Sequence, residues 1–154
     1  MSERLTARHL MHADVLTVEP EMSLAEAWDL FRSHRIGGAP VVSAAEGLVG
    51  VLSQSDLLRV TLEGELEDFP PRSYYLGVGF WDSPVPEKLR YRLEALTVED
   101  AMNPRVITAG PDDSAAALAT TMRNNDIHRI IVVEDGKVTG IVTALDLLTV
   151  LENH

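Results

Sequence analysis

The chain contains two copies of one pattern, and this repetition constrains the fold more than any other feature of the sequence. Aligned without a gap, residues 5–42 and 96–133 are identical at 12 of 38 positions. A one-residue shift in the turn that follows then aligns "GVLSQSD" (50–56) with "GIVTALD" (140–146). Self-similarity at a fixed spacing is the signature of a duplicated supersecondary unit. The chain must therefore use one structural unit twice.

Both copies follow the same order of predicted elements. A short β-rich run, "DVLTV" or "RVITA", precedes a proline, and a helix then begins at Ser23 or Ser114, both good N-caps. Two strands follow around a turn, and a final helix begins directly after the second strand. In the helix after Ser23, one apolar face is formed by residues at helical spacing, namely Leu24, Ala27, Trp28 and Phe31.

The predicted fold class is therefore α/β (α+β), with the order β-α-β-β-α in each copy. A single copy cannot cover both faces of its small sheet, so we expect the two to pack sheet to sheet with pseudo-two-fold symmetry. The predicted domains are a first repeat at 1–62, a connecting segment at 63–95 and a second repeat at 96–154.

Composition argues against several classes of protein. The 154 residues carry a net charge of −11 without a basic run, which disfavours binding to nucleic acid or to anionic membranes. No apolar run approaches the roughly 18–20 residues of a membrane span, and the N-terminus has no signal-peptide pattern. With no cysteine there are no disulfides or thiolate metal sites. We therefore expect a cytoplasmic protein.

Known catalytic patterns are also missing from the sequence. There is no Ser/His/Asp set, Gly-rich P-loop or dinucleotide fingerprint. The histidines outside the second repeat's "HR" pair follow no metal-ligand spacing and are expected to be structural or solvent-exposed; they are His9, His12, His34 and His154. We predict neither a catalytic nor a metal site, and hence a protein that is not an enzyme.

The heptad Gly-h-h-(Ser/Thr)-x-x-Asp, in which h is aliphatic, carries the clearest chemistry. Ser53 and Thr143 stand where a buried strand turns into a helix, with Asp56 and Asp146 one turn later. A carboxylate in such a position can accept both hydroxyls of a ribose. The same spacing is also an acidic capping box, which only stabilises the helix start. Both interpretations remain open, and they can coexist.

The element order and the two heptads together resemble the cystathionine β-synthase (CBS) domain, and the tandem pair is similar to a Bateman module. The resemblance covers all but the connecting segment and the extreme termini. It implies a non-catalytic regulatory module that binds an adenine nucleotide or adenosyl compound between its repeats, with an accompanying Mg²⁺ left open. It further implies a flat homodimer, helices facing helices, whose output passes to a separate effector protein or remains within the dimer.

The resemblance also implies site residues, with each cleft drawn from both repeats. The first cleft combines Ser53, Asp56, Ile107, Thr108, Ile127, His128 and Arg129. The second combines Thr143, Asp146, Thr17, Val18, Ile36, Gly37 and Gly38. Only the first cleft has a guanidinium suited to phosphate, so we expect it to prefer AMP, ADP or ATP. The second is then empty or holds a less charged adenosyl ligand. The alternative is that His128 and Arg129 are an ordinary helix-end histidine and surface arginine.

Two other classes of function compete with the ligand sensor. One is an interaction module with empty clefts that serves only for dimerisation. The other is a small nucleotide-processing enzyme or nucleic-acid binder, which the acidic charge and the missing catalytic set disfavour.

Aromatic residues concentrate between the repeats. Of the eight in the chain, six fall within residues 67–96, namely Phe69, Tyr74, Tyr75, Phe80, Trp81 and Tyr91. The segment is too apolar for a disordered linker, so it should pack on its own domain or a partner subunit. A lid whose ring stacks on a bound adenine is the second interpretation.

The first testable prediction concerns this segment. Replacing residues 68–86 by a short Gly/Ser linker should lower thermal stability or weaken self-association, because packed aromatic surface would be lost. Thermal melting and sedimentation of the deletion variant and the parent measure both effects. A variant as stable and as dimeric as the parent would make the segment only a tether.

Overall fold

A computed structural model describes residues 5–61 and 87–152 of the chain, which divides into two compact units. One unit is Leu16–Val106. The other combines Met1–Val15 with Ile107–His154. They are called the 16–106 unit and the 107–154 unit below, and the latter name always includes the first fifteen residues.

Short helices and strands alternate in both units. The helices are α1 (Ala7–Leu10), α2 (Leu24–His34), α3 (Gln54–Thr61), α4 (Glu87–Ala95), α5 (Val98–Ala101), α6 (Ala115–Asn125), α7 (Ala144–Leu147) and α8 (Thr149–Glu152). The strands are β1 (Gly38–Ser43), β2 (Gly47–Ser53), β3 (Thr108–Ala109), β4 (Arg129–Glu134) and β5 (Lys137–Thr143). None of the described helices has the length and apolarity that crossing a membrane requires.

The long helix of each unit begins where the sequence predicts. The Ser23 hydroxyl accepts a hydrogen bond from the Glu26 amide at 3.1 Å, which satisfies one of the free N–H groups of the first turn of α2. Ser114 caps α6 through the Ala117 amide at the same distance. The predicted apolar face of α2 is buried, with Phe31 at its centre.

The two sheets differ because of one proline. In the 107–154 unit, β3 pairs in parallel with β4, and β4 pairs antiparallel with β5. There the Ile131 amide donates to the Ile107 carbonyl at 3.4 Å. The equivalent residue on β1 is Pro40, which has no N–H to donate. The predicted strand "DVLTV" is therefore reduced to a single parallel bridge between Val18 and Val41.

Each unit takes its first segment from the other repeat. We call residues 5–12 and 96–103 the leading segments. His12 exchanges two backbone hydrogen bonds with Ile141 of β5, at 2.9 and 3.0 Å. Asn103 does the same with Val51 of β2, at 2.9 and 2.8 Å. The first repeat therefore completes the unit of the second, and the second completes the unit of the first.

A second pair of contacts fixes the other end of each leading segment. The Ala115 amide at the start of α6 donates to the Leu5 carbonyl at 3.0 Å, and the Leu24 amide at the start of α2 donates to Leu96 at 2.9 Å. The compact units thus divide the chain differently from the sequence repeats. Sequence similarity follows the duplication, whereas the contacts follow the exchanged segments.

The glycine that opens each heptad lies against a leading segment. A Cβ added to Gly140 would stand 2.6 Å from the Sδ of Met11. A Cβ on Gly50 would stand 2.8 Å from the carbonyl oxygen of Asn103 and 3.0 Å from the Sδ of Met102. The 2.6 and 2.8 Å separations are closer than real Cβ contacts, so no larger residue fits at either glycine without displacing part of the segment. Gly50 thus lies against the backbone of its leading segment, and Gly140 against a methionine side chain.

The connecting segment is described only at its end. Expectations about residues 63–86, including the packing of most of the aromatic cluster, lie outside the described residues. In α4, Leu93 is buried in the core of the 16–106 unit, whereas the Tyr91 side chain is 81% exposed. A 3.3 Å ion pair between Arg90 and Asp29 joins α4 to α2.

The glycine contacts generate the second prediction. Gly140→Ala and Gly50→Ala should each lower the free energy of unfolding by about 1–3 kcal/mol, because the new methyl group overpacks a closed contact. Chemical denaturation measures the change. Gly110→Ala is the control, since its Cβ would meet Asp113 at an ordinary 3.7 Å. Equal stability of Gly140→Ala and Gly110→Ala would contradict the role given to the contact.

Candidate functional site

The two heptads form matching strand-to-helix turns. At the end of β5, the Asp146 amide donates to the Thr143 hydroxyl at 3.2 Å, and the Thr143 amide donates to Oδ2 of Asp146 at 2.8 Å. At the end of β2, Ser53 and Asp56 make the same pair of bonds at 3.2 and 2.9 Å. The capping interpretation therefore holds at both turns, and the remaining question is what else each carboxylate can bind.

Asp56 is enclosed within the 16–106 unit. Its Oδ2 also accepts from the Ser53 hydroxyl at 2.9 Å, and its Oδ1 accepts from Arg59 at 2.7 Å. Its side chain is 1% exposed, and Gln54 and Ser55 beside it are buried as well. Burial raises the pKa of Asp56 against the opposing effects of the Ser53 amide and the Arg59 charge. Three donors from its own turn and helix therefore hold this carboxylate in a closed site.

Asp146 is held more openly. Its Oδ1 accepts a 2.7 Å hydrogen bond from Nε2 of His12, and the His12 side chain is 69% exposed. The Asp146 side chain itself is 15% exposed. At the position equivalent to Arg59 stands Thr149, whose hydroxyl donates to the Asp146 backbone carbonyl at 2.6 Å. The partner of this carboxylate thus comes from a leading segment instead of from the next turn of the helix.

The leading segment of the 16–106 unit offers no such partner. Asn103 occupies the backbone position equivalent to that of His12, but its Oδ1 accepts from the Arg105 amide at 3.0 Å. The two units therefore supply the donor to the heptad carboxylate in different ways. One uses an arginine of its own helix, and the other a histidine of the exchanged segment.

Each heptad also lies beside the start of the preceding strand in its own repeat. Arg129 stands opposite Thr143 in the β4–β5 ladder, and the Ala144 amide donates to the His128 carbonyl at 2.8 Å. Arg129 is half-buried and His128 is exposed. The 107–154 unit thus brings Arg129 next to a heptad that the sequence had assigned to the other cleft.

In the 16–106 unit the same positions carry glycine. Gly38 stands opposite Ser53, and the Gln54 amide donates to the Gly37 carbonyl at 2.9 Å. No side chain projects from these two positions, so neither the charge nor the bulk of Arg129 and His128 has a counterpart at this turn.

The remaining predicted site residues are the first-strand pairs and the isoleucines after the long helices. Thr17 and Thr108 are exposed, Ile36 and Ile107 are half-buried, and Val18 and Ile127 are buried. Both isoleucines after the long helices donate their amides back to a helix carbonyl, Ile36 to Phe31 and Ile127 to Met122. Val18 and Ile127 therefore belong to the cores of their units.

Two residues of these turns were missed by sequence reasoning. Arg59 lies only three residues after Asp56 on a helix, and that spacing is a usable signal for an ion pair. His12 is 134 positions away from Asp146 and was expected to be structural or solvent-exposed. No local pattern links the two. Among residues 5–61 and 87–152, no group of three His, Cys, Asp or Glu is arranged to hold a metal ion.

Comparison with known proteins agrees with this architecture. The sequence profile of the CBS domain matches residues 7–63 and 98–153. An uncharacterized protein of Methanocaldococcus jannaschii, MJ1426, is 31% identical over 162 aligned positions that cover 97% of this chain and 92% of the relative. The chain spans a smaller share, 42% and 30%, of the length of two other relatives from that organism.

Solved structures have the same fold. The CBS domain of a CBS-domain-containing membrane protein from Sphaerobacter thermophilus is 32% identical, with a TM-score of 0.70 over 95% of this chain and 87% of that one. The CBS domain pair of protein MJ0100, in complex with 5′-methylthioadenosine and S-adenosyl-L-methionine, is 21% identical. Its TM-score is 0.67, and the match covers 98% of both chains. With both profile matches spanning most of its length, the chain belongs to the CBS domain family and carries two CBS domains.

Proposed function

We propose that the chain is a non-catalytic regulatory module that binds an adenosyl compound at the 143–146 turn. The observation that carries this proposal is the contrast between the two heptad carboxylates. Asp56 is enclosed and paired with an arginine, whereas Asp146 is partly exposed and paired with an exposed histidine. Only the second can exchange its partner for a ligand without opening a core.

The ribose of the ligand would bind to Asp146. A carboxylate accepts two hydrogen bonds at each oxygen, and a ribose offers two adjacent hydroxyls as donors. Oδ2 of Asp146 is used once, by the Thr143 amide, and Oδ1 is used once, by His12. Acceptor capacity therefore remains at both oxygens. This acceptor capacity increases when the His12 side chain rotates away from Asp146.

A phosphate, where the ligand has one, would bind to Arg129. This residue starts β4 directly opposite Thr143, so its cation belongs to the same turn as the proposed ribose site. A guanidinium forms charge-assisted and often bidentate hydrogen bonds with phosphate oxygens. The proposal therefore admits AMP, ADP and ATP beside uncharged adenosyl compounds, and a triphosphate could bring Mg²⁺ with it.

The grouping differs from the one expected from sequence. That expectation joined Arg129 to Asp56, whereas the proposal joins it to Asp146 of the same unit. The CBS domain pair of MJ0100 supports the adenosyl class of ligand, since its ligands share the adenosine moiety. At 21% identity it supports the class alone and assigns no residue of this chain. A cytoplasmic location and a separate effector protein complete the proposal.

A second candidate is an interaction module, and an exposed apolar stripe formed by α7, α8 and Leu148 between them favours it. Leu145, Leu148 and Leu151 are 74%, 52% and 70% exposed. Three leucines at a spacing of three residues form one side of a helical segment, and such a side gains free energy when a second copy covers it. Dimerisation and ligand binding are compatible, and we propose that the chain is a homodimer through this surface.

The third prediction tests the ligand site. Asp146→Asn should weaken the binding of adenosine about ten- to a hundredfold, because hydrogen bonds to the ribose lose their charged acceptor. Isothermal titration calorimetry measures the affinity. Asp135→Asn, at the exposed tip of the β4–β5 turn, is the matched control and should bind like the parent.

Two results would contradict that assignment. One is an unchanged affinity of Asp146→Asn for adenosine. The other is a loss of binding in Asp56→Asn while Asp146→Asn is silent, which would restore the grouping expected from sequence. A probe without the ribose diol, 2′,3′-dideoxyadenosine, should not distinguish Asp146→Asn from the parent.

The fourth prediction tests the apolar stripe. Leu148→Glu should shift the chain from dimer to monomer in sedimentation equilibrium, because the substitution buries a carboxylate in an apolar contact. Thr120→Glu adds the same charge to an exposed position of α6 and should remain dimeric. A monomeric parent, or equal association of the two variants, would remove this surface as the dimer contact.

A further inference from the structure

We propose that His12 controls access to Asp146, so that a proton on this imidazole and the ribose of an adenosyl ligand compete for the same carboxylate. The inference rests on the proposed function of the 143–146 turn and adds its regulation. It makes ligand binding sensitive to pH in the range where imidazoles titrate, between about pH 5 and 8.

The His12 side chain can move while its backbone stays in place. Its amide and carbonyl are both bonded to Ile141 of β5, which holds the main chain on the sheet. The imidazole, 69% exposed, bonds to Oδ1 of Asp146, whose side chain is 15% exposed. A rotation of the side chain therefore frees the acceptor without disturbing the fold.

In the 16–106 unit, the heptad carboxylate has a partner whose charge does not depend on pH. Arg59 binds Oδ1 of Asp56 at 2.7 Å, and the side-chain exposures of the pair are 30% and 1%. A guanidinium keeps its charge throughout the physiological pH range, so this pair cannot be released by deprotonation. The imidazole of the Asp146 pair can lose its charge, and a neutral histidine gives up the carboxylate more readily than a charged one.

Nearby charges on the leading segment are already engaged. Arg8 is paired with Glu134 at 3.3 Å and with Asp112 at 3.8 Å. The ring of His9 is bonded to the Thr6 amide and hydroxyl at 3.1 and 3.0 Å. Asp14, two residues after His12, is exposed to solvent.

The other facing groups belong to the β4–β5 hairpin and to α7. Lys137 stands opposite Glu134 at one end of the ladder, and Arg129 stands opposite Thr143 at the other. His128, just before β4, is exposed. Asp146 is the only charged group of α7, and it hydrogen-bonds to the imidazole of His12. Asp146 is therefore the charged group in direct contact with the imidazole.

The sign of the effect follows from the competition. When His12 is protonated, it forms an ion pair with Asp146, and a ribose must displace a charged donor. When it is neutral, the bond loses its charge and the ribose binds more tightly. Binding in the middle of this range should therefore release protons to solvent, and affinity should rise with pH.

The test compares adenosine binding at about pH 5.5 and about pH 8 by calorimetry on the full chain. Adenosine is the probe because it has no phosphate, whose own ionisation near pH 6 would confuse the comparison. The parent should bind about three- to fivefold more weakly at the lower pH, as expected for an exposed ion pair. Titrations in two buffers of different ionisation enthalpy should report proton release.

His12→Asn is the decisive variant, because it copies the residue at the equivalent position 103 and so suits the same backbone. It should bind adenosine with equal affinity at both pH values and release no protons. His9→Asn is the matched control and should keep the pH dependence of the parent. The pH dependence surviving in His12→Asn, or missing in the parent, would overturn the inference and leave the proposed function intact. A parent that binds no adenosine at either pH would overturn both.

Discussion

The exchange of leading segments is the constraint on which the rest of this structure depends. Two backbone hydrogen bonds tie His12 to β5, and two more tie Asn103 to β2. Without them, each hairpin would expose an edge strand whose N–H and C=O groups have no partner. The same segments place a half-buried methionine against the glycine that opens each heptad, so each segment supplies both a bridge to the edge strand and a packing contact.

The heptad has two roles: it caps the start of a helix, and it holds a carboxylate that can bind a third group. Its hydroxyl and carboxylate cap the turn in both units, which fixes the direction in which the carboxylate points. What differs is the third group around that carboxylate. In the 16–106 unit it is Arg59, and the result is a closed polar cluster. In the 107–154 unit it is His12, delivered by the exchanged segment, and the result is a site that can open. The two turns share their capping bonds and differ in this third group.

Much of this fold could be predicted from the sequence, because its signals are local and occur twice. The N-caps at Ser23 and Ser114, the two hairpins and the buried face of α2 are confirmed. The strand "DVLTV" was predicted too long, since β-propensity does not register that Pro40 on the neighbouring strand cannot donate. The last predicted helix is divided at Leu148 into α7 and α8. The paired heptads also indicated the strand-to-helix turns correctly.

The different partners of the two heptad carboxylates could not be predicted from local sequence patterns. The exchange of segments cannot be detected from sequence periodicity, because the two leading segments have the same pattern of residues whichever unit they pack into. For that reason the pairing of His12 with Asp146, which are 134 positions apart, could not be predicted from the sequence. The enclosure of Asp56 depends on burial of a whole turn, which neither composition nor spacing reports.

The exchanged segments also have a consequence for how this gene can change over time. Met11 lies in the first repeat and Gly140 in the second, while Met102 and Gly50 reverse that arrangement. A substitution that enlarges either glycine must be answered by a change in the opposite half. A recombination event that replaces one half with that of a diverged relative breaks both pairs at once. The two repeats are therefore expected to be inherited together, and substitutions in one should be correlated with substitutions in the other.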